Sequence, residues 1–413
     1  MPALRADYEG SLMKNWFIYR MLLHALPAHG DATASTLSAD TTRRVTSLLR
    51  KHRCVGASLC LFDEGGEAGA LSFGQARPGV PALPETIYRA ASVSKFVTAL
   101  CAMKLSENGV LSLDADTNRY LPFSLRHPQA KDAPITLRML LSHTAGLHDG
   151  AAYNAGVARG EALGALLAGD SFTAHLPGGK WEYSNLGAGI AGAVMEAAAQ
   201  CDFETLMQQT LFAPLGVTAT FYPQKVAEKV TAQGAAVLAD ARRILPPARR
   251  PNFDAQSRRA RPLPAPCVDA EHHYALAHGN LCVSVGNLAK LGVAGMVPGF
   301  LTAESLQDMR RVIAPFGERA HNLSEGVGTF ILRDASIAPC PIYGHQGMAY
   351  GAVHGLFFDP AAGRGLALLT SGASEARRGV LADLNAALIR LLLSEGKETT
   401  QSEKAAGQAS QGL

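Results

Sequence analysis

Segments with the composition of β-strands lie near both ends of the chain, and a long, mostly helical region separates them. Helix patterns flank these segments at residues 40–53 and 378–393. One sheet built from both chain ends is the simplest arrangement that buries all of this apolar surface. We therefore predict an α+β fold, with an antiparallel sheet flanked by N- and C-terminal helices and an inserted, mostly helical subdomain. The strand-like segments are "VGASLCLF" (55–62), "ALSFGQA" (70–76), "GVGTFILR" (326–333), "GAVHGLFFD" (351–359) and "LALLTSG" (366–372).

The same pattern predicts one folded domain between two terminal extensions. The last stretch, "SEGKETTQSEKAAGQASQGL", has almost no apolar residues, so its end is expected to be disordered. The predicted boundaries are an N-terminal arm over 1–39, a domain over 40–395 and a disordered tail over 396–413, with 40–91 and 280–395 forming the sheet part and 92–279 the mainly helical insertion.

The balance of charges gives no indication of a macromolecular partner. The chain has 413 residues with 38 basic and 35 acidic side chains, which points to neither nucleic acid nor an anionic membrane. No uninterrupted apolar run is long enough for a transmembrane helix.

Seven cysteines without a CxxC pair favour reduced thiols and the cytoplasm. The alternative is export, because "MKNWFIYRMLLHALPA", from Met13, has a basic start and an apolar stretch like a signal peptide.

The segment 242–266 differs from the rest of the chain in composition. It holds seven arginines, six prolines and one acidic residue. Its prolines predict an irregular loop, and its arginines are compatible with a bound anion. Because no nucleic-acid recognition motif accompanies it, we interpret it as a solvated surface loop and predict no nucleic-acid partner.

A serine precedes a lysine by three residues at three places in the chain, and only Ser92 with Lys95 begins a regular helical pattern, "SVSKFVTALCAMKLSENG". Residues i and i+3 share a helix face, so the Lys95 amine can reach the Ser92 hydroxyl. A serine becomes a nucleophile when a base takes its proton, and a lysine is a base only when its pKa is lowered. The alternative is that Ser92 caps the helix and Lys95 is solvated.

Other sequence patterns for catalytic or cofactor sites are absent or in the wrong context. No GxSxG or HExxH sequence occurs, and no cysteine–histidine spacing indicates zinc. The one GxGxxG, at 187–192, lies inside a helical pattern, so we interpret its glycines as helix packing and not as a dinucleotide site. We therefore predict no metal and no cofactor.

Two further short motifs follow the serine–lysine pair in order along the chain. Tyr183 and Asn185 form the only YxN sequence, and His345 and Gly347 form an HxG sequence beside the late strands. A second HxG, at 148–150, lies in a loop with no strand after it. The order SxxK, YxN, HxG resembles the penicilloyl-serine hydrolase superfamily, which includes class C β-lactamases, D-alanyl-D-alanine carboxypeptidases, D-aminopeptidases and family VIII esterases. The resemblance spans residues 40–393 and implies a β-lactamase/transpeptidase-like fold.

The resemblance also implies roles for individual residues. Ser92 would be acylated, with Lys95 and Tyr183 sharing the work of the general base, and the charge of Lys95 would favour a Tyr183 phenolate. Asn185 would contact Lys95 and the substrate, as His345 and Gly347 would from a strand edge facing the serine. The oxyanion hole would consist of the backbone N–H groups of Ser92 and Met348. His143 and His278, like the neighbouring pair at 272–273, are expected to be structural or at the surface.

The third motif differs from that of the class C β-lactamases, which usually carry lysine-threonine-glycine at this position. Here His345 and Gln346 replace a fixed cation with a histidine that is only partly charged near neutral pH. We therefore expect an acyl-enzyme serine hydrolase acting on a small ester or amide, as an esterase or a D-alanyl or D-amino-acid peptidase, with at most weak β-lactamase activity. The alternative is a catalytically inactive relative that binds or senses a small molecule.

Overall fold

The computed structural model describes residues 30–77, 79–167, 170–226, 231, 267–316, 323–349 and 351–394. The Arg/Pro-rich segment 242–266, the tail 396–413 and most of the N-terminal arm lie outside these residues. In the described part of the chain, no helix is both long enough and apolar enough to cross a bilayer.

The strands of the main sheet come from both ends of the chain, as predicted. Ten described strands form one antiparallel sheet in the order β1-β3-β2-β13-β12-β11-β10-β9-β8, with β4 added beside β3. These strands are β1 (Ala32–Ser35), β2 (Gly56–Asp63), β3 (Gly66–Arg77), β4 (Val80–Pro81), β8 (Ala314–Pro315), β9 (Leu323–Glu325), β10 (Phe330–Leu332), β11 (Ile342–Ala349), β12 (Ala352–Asp359) and β13 (Arg364–Gly372).

Short strands form two smaller sheets. One joins β5 (Tyr88–Arg89), β7 (Cys282–Val283) and β6 (Ala219–Thr220), and the other pairs β14 (Arg377–Arg378) with β15 (Leu381–Ala382). The first brings the chain just before Ser92 beside the chain just after residue 280, where the predicted insertion ends.

The helices occupy both faces of the main sheet, which confirms the predicted α+β class. The α-helices are α1 (Ala39–Lys51), α2 (Val93–Glu107), α3 (Leu137–Leu141), α4 (Ala151–Arg159), α5 (Leu163–Leu166), α6 (Asn185–Ala199), α7 (Phe203–Met207), α8 (Tyr274–Gly279), α9 (Val285–Met296), α10 (Ala303–Met309) and α11 (Asp383–Ile389). One apolar core packs the terminal helices α1 and α11 on the sheet, and a second lies between the opposite face and the remaining helices.

Strand β1 lies at the edge of the main sheet, although the sequence predicted that residues 1–39 form an arm that is not part of the sheet. Residues Ala32–Ser35 pair antiparallel with β3, and all four side chains are exposed. Strand prediction depends on alternating burial, and this short polar segment has none. Short polar strands of this kind are common at sheet edges, where they discourage pairing with other molecules.

The helix that follows Ser92 is central to the molecule. Twelve of its fifteen residues are buried, so α2 is apolar around nearly its whole circumference. A helix of that kind requires neighbours on every side. It packs against α6, α8 and α9 and against β11, which brings the sequence motifs into contact with one another.

The glycines of the GxGxxG sequence lie within α6, in agreement with the packing interpretation. A Cβ atom on Gly189 would lie 3.1 Å from the Tyr274 Cβ, and one on Gly192 would lie 2.6 Å from the Ala277 Cβ. The missing side chains therefore let α6 and α8 approach closely. That approach places the end of α8 beside the residue before the serine, since a Cβ atom on Gly279 would lie 3.8 Å from the backbone carbonyl carbon of Ala91.

No disulfide joins any of the seven cysteines, all of which lie in the described part of the chain. Four of them, Cys54, Cys60, Cys101 and Cys282, are buried, whereas Cys267 is exposed. Burial raises the pKa of the Cys54 and Cys101 thiols, which makes them poor nucleophiles.

Candidate active site

Ser92 immediately precedes helix α2, but its side chain does not cap the helix. No cap hydrogen bond involves its hydroxyl, which rules out the capping alternative in this structure. Instead, the Ser92 Oγ accepts hydrogen bonds from the Tyr183 hydroxyl at 2.6 Å and from the Lys95 Nζ at 3.2 Å. The preceding residue, Ala91, has a φ of 49°, an unusual conformation for a residue with a side chain. The partly exposed Ser92 thus holds two polar partners at a strained turn.

Lys95 is buried and fully hydrogen-bonded. Besides Ser92, its Nζ donates to the Asn185 Oδ1 at 2.7 Å and to the His278 carbonyl at 2.8 Å. Burial lowers the pKa of Lys95 to about 7, and the nearby carboxylates of Asp149 and Glu325 oppose that shift. A large fraction of Lys95 is therefore neutral near pH 7 and has a lone pair to accept a proton.

Tyr183 lies in the loop before α6, and the Lys95 Nζ is 4.8 Å from the centre of its ring. We expected that charge to favour the phenolate. Instead, burial dominates and raises the pKa of Tyr183, although its hydrogen bond to Ser92 has the opposite effect. The neutral phenol is the stable form near neutral pH, so it donates to the serine and does not compete with Lys95 for its proton.

His143 supports the YxN loop from behind, as a structural histidine would. Its Nδ1 accepts a hydrogen bond from the Ser184 N–H at 3.2 Å, and its ring centre lies 4.6 Å from that of Tyr183. Burial, together with the charge of Lys95, lowers its pKa well below the usual range. A neutral imidazole therefore orients the tyrosine.

Asn185 begins helix α6 and joins Lys95 to a residue that the sequence did not single out. Its Oδ1 accepts from Lys95, and its Nδ2 donates to the Asp149 Oδ2 at 2.7 Å. Asp149 belongs to the second HxG sequence, which had no strand after it and so no predicted role. The sequence carried no signal for this contact, because the loop and the helix are brought together only by the fold.

The strand that carries the third motif passes directly beside Ser92. Strand β10 pairs with β11 as far as Gly344, and among the described residues no strand pairs with the rest of β11 on that side. A Cβ atom on Gly347 would lie 2.3 Å from the Ala90 carbonyl oxygen and 3.1 Å from the Ser92 nitrogen. Only glycine allows this approach. Met348, the next residue along the strand, packs its side chain toward the terminal helices.

His345 is buried and neutral. Its Nδ1 lies 2.6 Å from the Gln346 carbonyl oxygen, and its ring stacks on Phe330 with centres 4.2 Å apart. Burial and the charge of Lys95 lower its pKa to about 3. Gln346 points away, toward the backbone of Ala382, from which its Oε1 accepts a hydrogen bond. This strand therefore provides no cation beside the serine at neutral pH.

An aromatic pair, which the sequence did not reveal, lies close to the serine and tyrosine. Trp181 stacks on Phe316 with ring centres 3.9 Å apart, and it lies 6.2 Å from Tyr183. The Trp181 Nε1 donates to the Glu325 Oε2 at 3.2 Å. Glu325 is fully buried, and burial raises its pKa well above the usual range. Its carboxyl group is therefore favoured in the neutral form beside Lys95.

The described residues contain no group of three histidine, cysteine, aspartate or glutamate side chains placed to hold a metal ion. His272 and His273, the adjacent pair in the sequence, instead form separate contacts with Asp269 and with the buried Glu196.

The chain is similar in sequence to a known family and to several known proteins. The model of the Beta-lactamase family matches residues 41–391. The chain is 27% identical over 378 residues to esterase EstB from Burkholderia gladioli, covering 86% of this chain and 95% of that protein. A lovastatin esterase from Penicillium rubens is 33% identical over 158 residues, covering 32% of this chain and 39% of that protein.

Solved structures show the same fold. EstCE1, described as a hydrolase with promiscuous acyltransferase activity, superposes with a TM-score of 0.66 at 25% identity, covering 84% of this chain and 97% of its own. The D-amino acid amidase from Ochrobactrum anthropi SV3 superposes with a TM-score of 0.64 at 21% identity, covering 86% of this chain and 98% of its own. Because the family match spans nearly the whole described domain, the chain belongs to the beta-lactamase family.

Proposed function

We propose that the protein is a serine hydrolase in which Ser92 forms an acyl-enzyme with a small ester or amide. The observation that carries this proposal is the contact of the Ser92 Oγ with both Tyr183 and Lys95, in place of a helix cap. A nucleophile within hydrogen-bond reach of its base is the usual arrangement for covalent catalysis.

Lys95 is proposed as the general base. In its neutral form it takes the Ser92 proton as the Oγ attacks the substrate carbonyl carbon and forms a new C–O bond. The bond to the leaving group then breaks, and the proton passes to the departing oxygen or nitrogen, with the Tyr183 hydroxyl as a relay. Water repeats the sequence on the acyl-enzyme and releases the acid. A base with a pKa near the working pH suits both proton transfers.

The oxyanion that forms during attack needs donors that are already in place. The backbone N–H groups of Ser92 and Met348 are proposed for this role, and the close approach of β11 at Gly347 supports it. Asn185 and Gly347 are proposed to contact the substrate.

Neutral esters are proposed as better substrates than compounds with a free carboxylate. β-Lactams and D-alanyl peptides carry a carboxylate near the reacting carbonyl, and the buried, neutral His345 offers it no charge. The names of the esterase relatives support this preference, and that of the D-amino acid amidase keeps amides among the candidates.

The proposal is tested with a panel of p-nitrophenyl esters, a D-amino acid amide, a D-alanyl-D-alanine peptide and nitrocefin. We expect turnover of short-chain esters, slower amide hydrolysis and little or no cleavage of nitrocefin. A fluorophosphonate should label the peptide that contains Ser92, and Ser92→Ala should abolish both labelling and turnover. Labelling without turnover of any substrate would instead favour the inactive binding module.

A further inference from the structure

Asn185 is held between a carboxylate at one end of its amide and an ammonium at the other. We propose that Asp149 is a positioning residue, which fixes the Asn185 amide and thereby sets the orientation and charge of Lys95. This inference rests on the proposed hydrolase function. Asp149 itself would contact neither the substrate nor the reacting atoms.

The carboxylate of Asp149 is placed by several contacts to the start of helix α6. Its Oδ2 accepts from the Asn185 Nδ2 at 2.7 Å, and its Oδ1 accepts from the Leu186 N–H at 2.9 Å and from the Ser184 Oγ at 3.3 Å. A carboxylate is favoured at the N-terminus of a helix, where backbone N–H groups lack intrahelical partners. Asp149 is thus held firmly enough to position another residue.

The identity of the acceptor decides which way the Asn185 amide faces. An amide has one accepting oxygen and one donating nitrogen, and an ionised carboxylate can only accept. The Asn185 Nδ2 must therefore face Asp149, and its Oδ1 must face the Lys95 Nζ, 2.7 Å away. With the opposite orientation, an NH₂ group would point at an ammonium. Asp149 consequently directs Lys95 toward the serine through one intervening side chain.

The charge of Asp149 also acts on Lys95. A nearby negative charge favours the ammonium form and opposes the effect of burial. Among the described residues, five other titratable groups face Lys95 from the elements packed around it. They are Glu325 in strand β9, Tyr183 in the loop before α6, His143 in the turn after α3, His278 in helix α8 and His345 in strand β11. Burial favours the neutral form of each of these five groups.

The test compares Asp149→Asn and Asp149→Ala with Asp170→Asn as a matched control. Asp170 is exposed and accepts at 2.7 Å from the N–H of Ala151, at the start of helix α4 and two residues after Asp149. The readouts are kcat and KM for the best ester from pH 5 to 9, together with the melting temperature at each pH.

We expect Asp149→Asn to move the acid limb of kcat/KM to lower pH by roughly one unit, since loss of a nearby negative charge makes the ammonium less favourable. Asp149→Ala should show the same shift and a fall in kcat of roughly 10-fold or more, with little change in KM, because the base is no longer oriented. Asp170→Asn should leave the profile unchanged.

Failure of the inference is distinguishable from failure of the proposed function. If wild-type enzyme shows no turnover, the hydrolase proposal fails. If wild-type turnover has an acid limb and folded Asp149→Asn keeps it at the same pH, Asp149 does not set the charge of Lys95. If folded Asp149→Ala keeps the wild-type kcat, the positioning role is wrong. A lower melting temperature with an unchanged limb would identify Asp149 as a structural brace only, which also overturns the proposal.

Discussion

If Lys95 must be neutral to accept the Ser92 proton, the rate of ester hydrolysis should fall as the pH drops below the pKa of Lys95. Burial lowers that pKa from the usual 10.5 to about 7. An ordinary lysine would be neutral in about one molecule in 3,000 at pH 7, whereas here the neutral fraction is about one half. Below pH 7, kcat/KM should therefore fall about tenfold per unit, to roughly one-hundredth of its plateau at pH 5.

The measurement is initial rate against pH with a fluorogenic ester whose product signal does not change over the range. Melting temperatures at the same pH values separate loss of activity from unfolding. The matched variant is Lys95→Arg, which keeps a cation but cannot accept a proton at any of these pH values. It should be inactive throughout.

Other groups around the serine should not produce the same limb. The pKa values of His278 and His345 are lowered to about 3, so both imidazoles stay neutral from pH 5 to 8. Glu325 has a raised pKa and is the remaining candidate, which Glu325→Gln removes. A profile that is flat from pH 5 to 8, or a limb that disappears in Glu325→Gln, would refute the assignment to Lys95.

Three further predictions concern residues around the serine. Tyr183→Phe should slow turnover by roughly 10²–10⁴-fold at an unchanged melting temperature, because the ring still packs while the relay hydroxyl is lost. Near-normal turnover would mean that Lys95 acts without Tyr183. Gly347→Ala should reduce kcat/KM and fluorophosphonate labelling together, because the new Cβ atom would lie 2.3 Å from the Ala90 carbonyl oxygen. Unchanged labelling would contradict the close approach of the two strands of backbone. Glu325→Gln should match wild type in melting temperature near pH 4.5 and exceed it at pH 8. Because the pKa of Glu325 is raised in the folded protein, the unfolded chain releases this proton first as the pH increases. Wild-type stability therefore falls as the pH rises above 4.5. Equal melting temperatures at pH 8 would contradict this prediction.

The sequence predicted the parts of the molecule that have a local pattern. Alternating and continuous apolar runs identified the long strands, and helical spacing with a following Asn-Gly identified the helix after Ser92. The order of three short motifs identified the family. The helical pattern did not indicate how much of this helix is buried, and α2 is buried nearly all round.

Contacts that depend on distant loops left no such pattern. Asp149 joins Asn185 across 36 residues of sequence, and Trp181 joins Glu325 across 144. A single carboxylate in a loop looks the same whether it is solvated or buried beside a lysine. The pKa of Tyr183 was misjudged for a related reason, because the sequence indicates neighbouring charges but not the burial that outweighs them.

The pairing of β2 with β13 has a consequence for the synthesis of the chain. Strand β2 finds its partner about 300 residues later, and the Ser371 Oγ donates to the Gln75 carbonyl oxygen across 296 residues. Strand β3 can pair with one edge of β2 at once, but until the ribosome has completed β13 the other edge of this apolar strand has no partner. Contacts of such sequence separation form slowly and leave aggregation-prone edges exposed in the meantime. Chaperone demand during translation should therefore be high for this protein, and a ribosome that stops before Arg364 should release a chain that cannot close its sheet.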